Sequence, residues 1–355
     1  MLSISLEGNV LIRMSGFRKG NRVYIIAELS ANHGHDLNVV KQTIDAAKRV
    51  GADAIKLQTY TADSMTLDID SPDFMANPNG PWAGRRLYDL YSEAALPMEW
   101  HKEIFEYAKE IGIDCFSSPF DKDAVDFLEP FNPPAYKIAS FEITDIPLIE
   151  YAASKGRPMI ISTGVADYTD IQLAIDSCRS VGNNDITILK CTSSYPTNPE
   201  DADLLTISDI AEKFDVVAGL SDHTMGIEAP VVSVALGAKV IEKHFILDKS
   251  IGGPDAHFSL DENEFSEMVK SVRIAEKLLG KVNYAMDEKK SQSRERARSL
   301  YVSANVKAGD EVTSLNVKSI RPGYGMHPKF WEEVQGRIFA NDYDSGTPLS
   351  FECFK

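Results

Sequence analysis

The sequence predicts an α/β protein: a closed (β/α)8 TIM barrel over residues 1–280, a linker over 281–298, and a small β-rich domain over 299–355. Three observations lead there. Eight short apolar runs alternate with helical patterns over about 250 residues, the size of such a barrel. No Gly-rich dinucleotide fingerprint follows the first run, which disfavours an open Rossmann sheet. Polar residues gather at the C-terminal ends of the runs, where a barrel builds its sites.

In chain order, Tyr24-Ile25-Ile26-Ala27 reads as the first strand and leads into Glu28-Leu29-Ser30-Ala31-Asn32-His33-Gly34. Val40, Ile44, Ala47 and Val50 recur at helical spacing within residues 37–50, and Gly51 stops that helix. Ala54-Ile55-Lys56-Leu57 is the second strand and completes a βαβ unit. From about Gln58 to Leu96 an insertion follows, rich in Pro, Gly, Asn and aromatics; loops of this length are usually lids or binding loops. The alternation then resumes with helix 99–111 and strand 114–117, helix 122–128 and strand 135–138, helix 147–155 and strand 159–162. Helix 169–181 precedes strand 187–190, helix 204–214 precedes strand 216–220, and helix 227–236 precedes strand 239–243. A last helix over 262–279 is capped by Gly280. Residues 287–298 break into charge and read as an exposed, partly helical linker. Beyond them, Leu300–Ser303 and Val317–Arg321 are short β-type runs, and so small a domain has little core of its own.

Composition narrows the class of function. The chain has 355 residues, 43% hydrophobic and 25% charged, which is ordinary for a globular enzyme. A formal net charge of −16 argues against a nucleic-acid partner or an anionic membrane surface. No stretch is apolar enough to span a membrane, and Met1–Glu7 lacks the basic-then-apolar pattern of a signal peptide. The four cysteines lack metal-type spacing and suit reduced thiols, so a cytoplasmic location is expected. Cys115 and Cys191 lie in strand-like runs and read as small buried hydrophobes.

Two histidines end consecutive strands, His223 in Ser221-Asp222-His223 and His244 in Glu242-Lys243-His244. One such histidine is more often a loop hydrogen-bonder; two in equivalent places favour a divalent metal on the rim. Asp222 is expected to orient His223 or to cap the next helix. Lys56, Lys137, Lys190 and Lys243 stand at four strand ends, and four lysines aimed at one mouth would hold an anion. Ser140, Ser162 and Ser193 add hydroxyl donors, and Ser117 and Ser118 stand at the end of the third strand. Glu28, Glu142 and Asp255 are candidate bases, metal-water ligands or hydroxyl clamps, with simple loop ion pairing as the alternative. His33, His35 and His257 are further rim candidates. The residues alone thus suggest aldol-type carbon–carbon bond formation on a phosphorylated substrate.

Together, Ala27–His33, Ile55–Tyr60, Tyr136–Ser140, Ser162-Thr163-Gly164, Cys191–Pro196, Ser221–His223 and Glu242–Phe245 resemble the sialic acid synthase family. The C-terminal segment resembles that family's antifreeze-like (SAF) domain. Within the family, Gly80–Tyr91 and Phe141–Tyr151 resemble the branch that makes pseudaminic acid. The resemblance implies condensation of phosphoenolpyruvate with the open-chain aldehyde of an acetamido sugar, here 2,4-diacetamido-2,4,6-trideoxy-L-altrose, with release of phosphate. Neuraminic or legionaminic acid synthesis is the same chemistry on another sugar, and a non-catalytic glycan-binding protein is an alternative of another class.

Carried over by match, His223 and His244 would hold Mn2+, Mg2+ or Co2+. Lys56, Lys137, Ser140, Ser162, Ser193 and Ser221 would hold phosphoenolpyruvate, with Tyr195 beside them. Gln58 and Asp255 would bind sugar hydroxyls, and Glu142 would orient or deprotonate the water that attacks C2. Glu28 matches an active-site acid of open role. Ser193 departs from the Asn common in the family. The family also implies a homodimer in which the SAF domain of one chain caps the other's barrel and Arg321 reaches the sugar's N-acetyl group.

Overall fold

A computed structural model describes residues 22–78 and 82–355. The N-terminal Met1–Glu7 and the Gly80-Pro81 portion of the insertion lie outside them. Eight parallel strands close into a barrel: β1 (Tyr24–Glu28), β2 (Ala54–Thr59), β3 (Asp114–Pro119), β4 (Tyr136–Ile138), β5 (Met159–Ser162), β6 (Ile186–Cys191), β7 (Val217–Asp222) and β8 (Val240–His244). Closure is made by β8 pairing with β1, with Glu28 opposite His244. The sequence reading of the barrel is therefore confirmed, with strand ends moved by a residue or two. Ser221 and Asp222 belong to β7, and His244 to β8.

The strands are continuous apolar runs because both of their faces are buried. Tyr24, Ile26, Phe116, Ile160, Leu189 and Val240 pack inside the barrel. Their chain neighbours Ile25, Ile55, Cys115, Ile161, Ile188 and Ile241 face the helical layer. Gly219 is required on β7, since a Cβ there would lie 2.4 Å from the Val240 carbonyl oxygen and 2.6 Å from Leu189 Cδ2. Helices begin where an aspartate accepts from the first turn, as Asp36, Asp121, Asp167 and Asp261 do. The helices Leu37–Val50 and His101–Ile111 end on left-handed glycines, Gly51 and Gly112.

The insertion is more structured than a loop. It contains the helices Ala62–Met65 and Leu87–Ala94 and an antiparallel bridge between Met75 and Arg86. The chain divides into two compact units, 1–280 and 281–355. The second holds a helix, Glu288–Arg294, and an antiparallel pair, β9 (Ser299–Val302) and β10 (Val317–Ile320), over a core that includes Val302, Val312, Val334 and Phe339. Among the described residues no helix is long and apolar enough to cross a membrane.

Candidate functional site

Side chains alternate between the two faces of a strand, so the interior residues fix which neighbours reach the mouth. With Ile26, Ala54, Ala135, Ile160, Leu189 and Val240 inside, the same parity turns Glu28, Lys56, Gln58, Lys137, Ser162, Cys191, Glu242 and His244 inward. Lys190 and Lys243 fall on the other parity. The Lys190 ammonium donates to the Cys191 carbonyl and Thr192 Oγ1 at 3.1 Å each. The Lys243 ammonium is paired with Asp222 Oδ2 at 2.5 Å. The expectation of four lysines at one mouth is corrected to two, because a single residue of offset sends the other two out toward the helices.

Lys56 and Lys137 are 3% and 2% exposed and meet two buried carboxylates. Lys56 Nζ lies 2.9 Å from Glu28 Oε2, 3.3 Å from Glu242 Oε1 and 3.2 Å from Ser118 Oγ. Lys137 Nζ lies 3.6 Å from the same Glu242 oxygen. Burial alone would lower both lysines; Glu242 and Glu28 outweigh it at Lys56, which is raised, while Lys137 stays lowered. Burial pushes Glu28 up to about 7 against the pull of Lys56. At Glu242 burial also pushes upward, but Lys137 and Lys56 win and hold it below the usual carboxylate range. Glu242 is thus the anion common to both lysines. Sequence reasoning missed it, although its place two residues before His244 put it on the same face.

The serines bring three successive loops together. Ser140 Oγ accepts from the Gly164 amide at 3.1 Å. A Cβ at Gly164 would lie 2.1 Å from Ser193 Oγ and 2.8 Å from Ser140 Oγ, so only glycine lets these chains meet. Ser221 Oγ is 3.4 Å from Glu242 Oε1. Ser117, by contrast, faces outward and bonds Thr59 at 2.6 Å. Glu142, in a short 3-10 turn after β4, is pushed up to about 7 by burial, against Lys137. Ser162 Oγ, Ser193 Oγ, Glu142 Oε2, Glu242 Oε2 and His244 Nδ1 are buried without a hydrogen-bond partner. An unmet buried polar atom costs about 1–3 kcal/mol, so five at one mouth mark a place built for a polar ligand.

The histidines occupy the other side of the mouth, ring centroids 5.3 Å apart. His223 Nδ1 sits 2.9 Å from the Thr192 carbonyl oxygen, to which it donates, leaving Nε2 with its lone pair. His244 is held neutral, well below its ordinary value, by burial and then by the neighbouring His223 and Lys56. Its Nδ1 is 3.8 Å from Asp255 Oδ2. His223 moves the other way: burial lowers it, but Cys191 and the Thr192 carbonyl outweigh burial and raise it. Two imidazoles this close, once deprotonated, fit the chemistry of a borderline cation. Among the described residues no set of three or more His, Cys, Asp or Glu is arranged to hold a metal. Cys191 is more than a small hydrophobe. Its Sγ is 3.7 Å from His223 Nδ1; burial raises the thiol, yet His223 holds it down to about 7. The Tyr195 ring lies 4.3 Å from His223 and Phe258 4.8 Å from His244, closing the apolar wall.

A hydrogen-bonded chain links the two sides. Asp255 Oδ2 accepts from Ser30 Oγ at 2.5 Å, Ser30 Oγ accepts from Gln58 Nε2 at 3.0 Å, and Gln58 also donates to Glu28 Oε1 at 3.0 Å. Burial raises Asp255 above its usual range, with Ser30 opposing. Ser30, like Glu242, lies within one of the segments that resemble the family. It has φ +48°, a left-handed conformation that disfavours a side chain. Of the other rim candidates, His257 stays near enough for its charge to act on Asp255. His33 bonds the Ala94 carbonyl at 3.2 Å and packs on Trp100, fastening the insertion; His35 and His257 are exposed. Asp222 bonds Lys243 and the Thr224 amide rather than capping a helix. Arg321 is exposed on the second unit.

Comparison with known proteins gives the family of the chain. The NeuB family model matches residues 43–284 and the SAF domain model matches 297–355. A pseudaminic acid synthase of Campylobacter jejuni is 48% identical over 344 residues, covering 97% of this chain and 100% of the relative. One of Helicobacter pylori is 46% identical, covering 92% and 96%. The crystal structure of an N-acetylneuraminic acid synthetase from Leptospira borgpetersenii superposes with a TM-score of 0.69 at 31% identity, covering 77% of this chain and 90% of that one. The chain belongs to the NeuB family, a transferase with a SAF domain after its barrel.

Proposed function

We propose that this enzyme condenses phosphoenolpyruvate with the open-chain aldehyde of 2,4-diacetamido-2,4,6-trideoxy-L-altrose, giving pseudaminic acid and phosphate. The observation that carries the reading is the set of unpaired polar atoms around Lys56 and Lys137, opposite the paired rings of His223 and His244. The 46% and 48% identical pseudaminic acid synthases support this choice of sugar.

In this reading, Lys56 and Lys137 balance the phosphate and carboxylate of phosphoenolpyruvate, and Ser140, Ser162, Ser193 and Ser221 donate to its oxygens. Asp255, Ser30 and Gln58 take the sugar hydroxyls and hold the aldehyde against C3. C3 attacks the aldehyde carbon to form the carbon–carbon bond, the carbonyl π pair moves to the aldehyde oxygen, and that oxygen takes up a proton to become a hydroxyl. Water then adds to C2, and the bond between C2 and the phosphate oxygen breaks. Glu142, with a value near 7, is matched to accept a proton from that water at neutral pH. The nearby Lys137 charge opposes the rise that burial causes. His223 and His244 would hold a divalent cation, Mn2+, Mg2+ or Co2+, which supplies Lewis-acid polarisation of the aldehyde oxygen. The small SAF core supports a homodimer in which each SAF domain caps the other barrel and offers Arg321 to the N-acetyl group.

A second reading is neuraminic or legionaminic acid synthesis; the Leptospira synthetase, at 31% identity, supports the neuraminic form and an N,N'-diacetyllegionaminic acid synthase, at 36%, the legionaminic one. A non-catalytic binding protein has no use for two carboxylates poised near 7 beside paired lysines. The test is mass spectrometry of products formed from phosphoenolpyruvate and a panel of amino sugars, with phosphate release followed in parallel. The altrose derivative should give a nine-carbon 2-keto acid. Efficient turnover of N-acetylmannosamine with none of the altrose derivative would replace the first reading by the second. No phosphate release with any sugar would remove both.

A further inference from the structure

Lys243 and Asp222 form a buried ion pair to which the proposed chemistry gives no task. We infer that it is a positioning clamp that sets the spacing of His223 and His244, and with it the affinity of the two imidazoles for a divalent cation. The inference rests on the assignment of those histidines as metal ligands.

The pair lies between the strands that carry them. Asp222 and Lys243 are register partners and form the last rung of the β7–β8 ladder; the next residue on each strand is a histidine. Their side chains are 2% and 1% exposed. The Lys243 ammonium also donates to the Thr224 carbonyl oxygen. Asp222 Oδ1 accepts from the Thr224 amide at 2.9 Å. One lysine on β8 therefore holds the two residues that flank His223, Asp222 by its side chain and Thr224 by its backbone. Past that rung the backbones go to different partners: the His223 carbonyl accepts from Thr197 at 2.9 Å, and the His244 carbonyl from Leu260 at 3.0 Å.

Packing alone does not account for the pair. Ile241 and Phe245, on the same face of this chain segment, are fully buried and apolar. Two charges taken out of water are a poor substitute for apolar side chains of the same volume as a source of stability. What an ion pair adds is direction and distance. Imidazoles with centroids 5.3 Å apart share one cation only while their geometry is kept to about 0.5 Å. Groups that orient metal ligands without touching the metal act on affinity in this way.

The test uses the full-length protein, stripped with chelator and titrated with Mn2+ by calorimetry and by the loss of the free-ion EPR signal. Wild type is compared with Lys243→Arg, Lys243→Met and the double variant Asp222→Asn/Lys243→Met, each with a thermal melt. The double variant keeps the acceptor for the Thr224 amide and leaves no unpaired charge, so it carries the test even where Lys243→Met alone does not fold. It should melt within a few degrees of wild type and bind Mn2+ about ten- to a hundredfold more weakly. Lys243→Arg, which keeps the ion pair, should lie close to wild type. Unchanged Mn2+ affinity in the double variant overturns the inference, as does a Lys243→Arg variant that loses as much as the double variant. Wild-type protein that binds no Mn2+ overturns instead the assignment of the histidines on which the inference rests.

Discussion

Lys56 and Lys137 differ from Lys190 and Lys243 by one step of strand parity, and that step separates two kinds of chemistry. The inward pair shares Glu242 and leaves hydroxyls and carboxylate oxygens around it unpaired. The outward pair is consumed locally, Lys190 by its own backbone and Lys243 by Asp222 and Thr224. A buried lysine is therefore no sign of an anion site until its partners are counted. Where they are fully met within the fold, the lysine is structural; where acceptors and donors remain in surplus, a ligand is missing.

The largest test of that contrast is substitution. Lys137→Met should lower kcat/KM for phosphoenolpyruvate by about a hundred- to a thousandfold, as removal of a preorganised charge does elsewhere. Lys190→Met should change it less than about twofold, since a half-exposed lysine away from the ligand contributes little. Phosphate release under saturating sugar measures both.

Next in size is Glu142. Glu142→Gln should reduce kcat by about a hundredfold or more if its carboxylate takes the proton from water. The wild-type kcat should fall as pH drops through about 7, because the base must be ionised and burial raises it to that value. The variant should lose this acid limb.

Glu28 sharpens the comparison through stability. Its folded value, near 7, lies above that of an unfolded glutamate, so the folded state binds the proton more tightly. The linked stability is greatest below the ordinary glutamate value and is lost as pH rises toward 7. Glu28→Gln should flatten that fall in denaturant midpoints between about pH 4.5 and 7.

The smallest effect separates strain from function at Ser30. Ser30→Gly removes a side chain from a left-handed backbone position and should leave the melting temperature equal or higher. It also removes the hydroxyl between Asp255 and Gln58, a charged hydrogen bond worth about 1.5–3 kcal/mol. KM for the sugar should rise while that for phosphoenolpyruvate stays put; equal changes in both would detach Ser30 from the sugar.

These contrasts also show what the sequence could reveal. Eight apolar runs with helical spacers were enough for a barrel, because both strand faces must be buried and the helices must be amphipathic. His223 and His244 stood out by following consecutive strands. Glu242 did not stand out, although parity with His244 was available; a carboxylate inside an apolar run looks misplaced until its two lysines are seen. Lys243 looked equivalent to Lys137 because nearness to a strand end was read without the alternation that decides which way a side chain points. Ser30 was beyond reach, since its role depends on Asp255, which is distant in sequence and brought alongside only by closure of β8 on β1.

The account stands most directly on equilibrium binding of phosphoenolpyruvate. Calorimetric titration of wild type, Lys137→Met and Lys190→Met at one pH and salt concentration should give a Kd at least about tenfold weaker for Lys137→Met, a lost charged contact of some 1.5–3 kcal/mol. Lys190→Met should match wild type. Equal weakening by the two substitutions, or none by either, would contradict the claim that inward parity decides which lysines hold the anion.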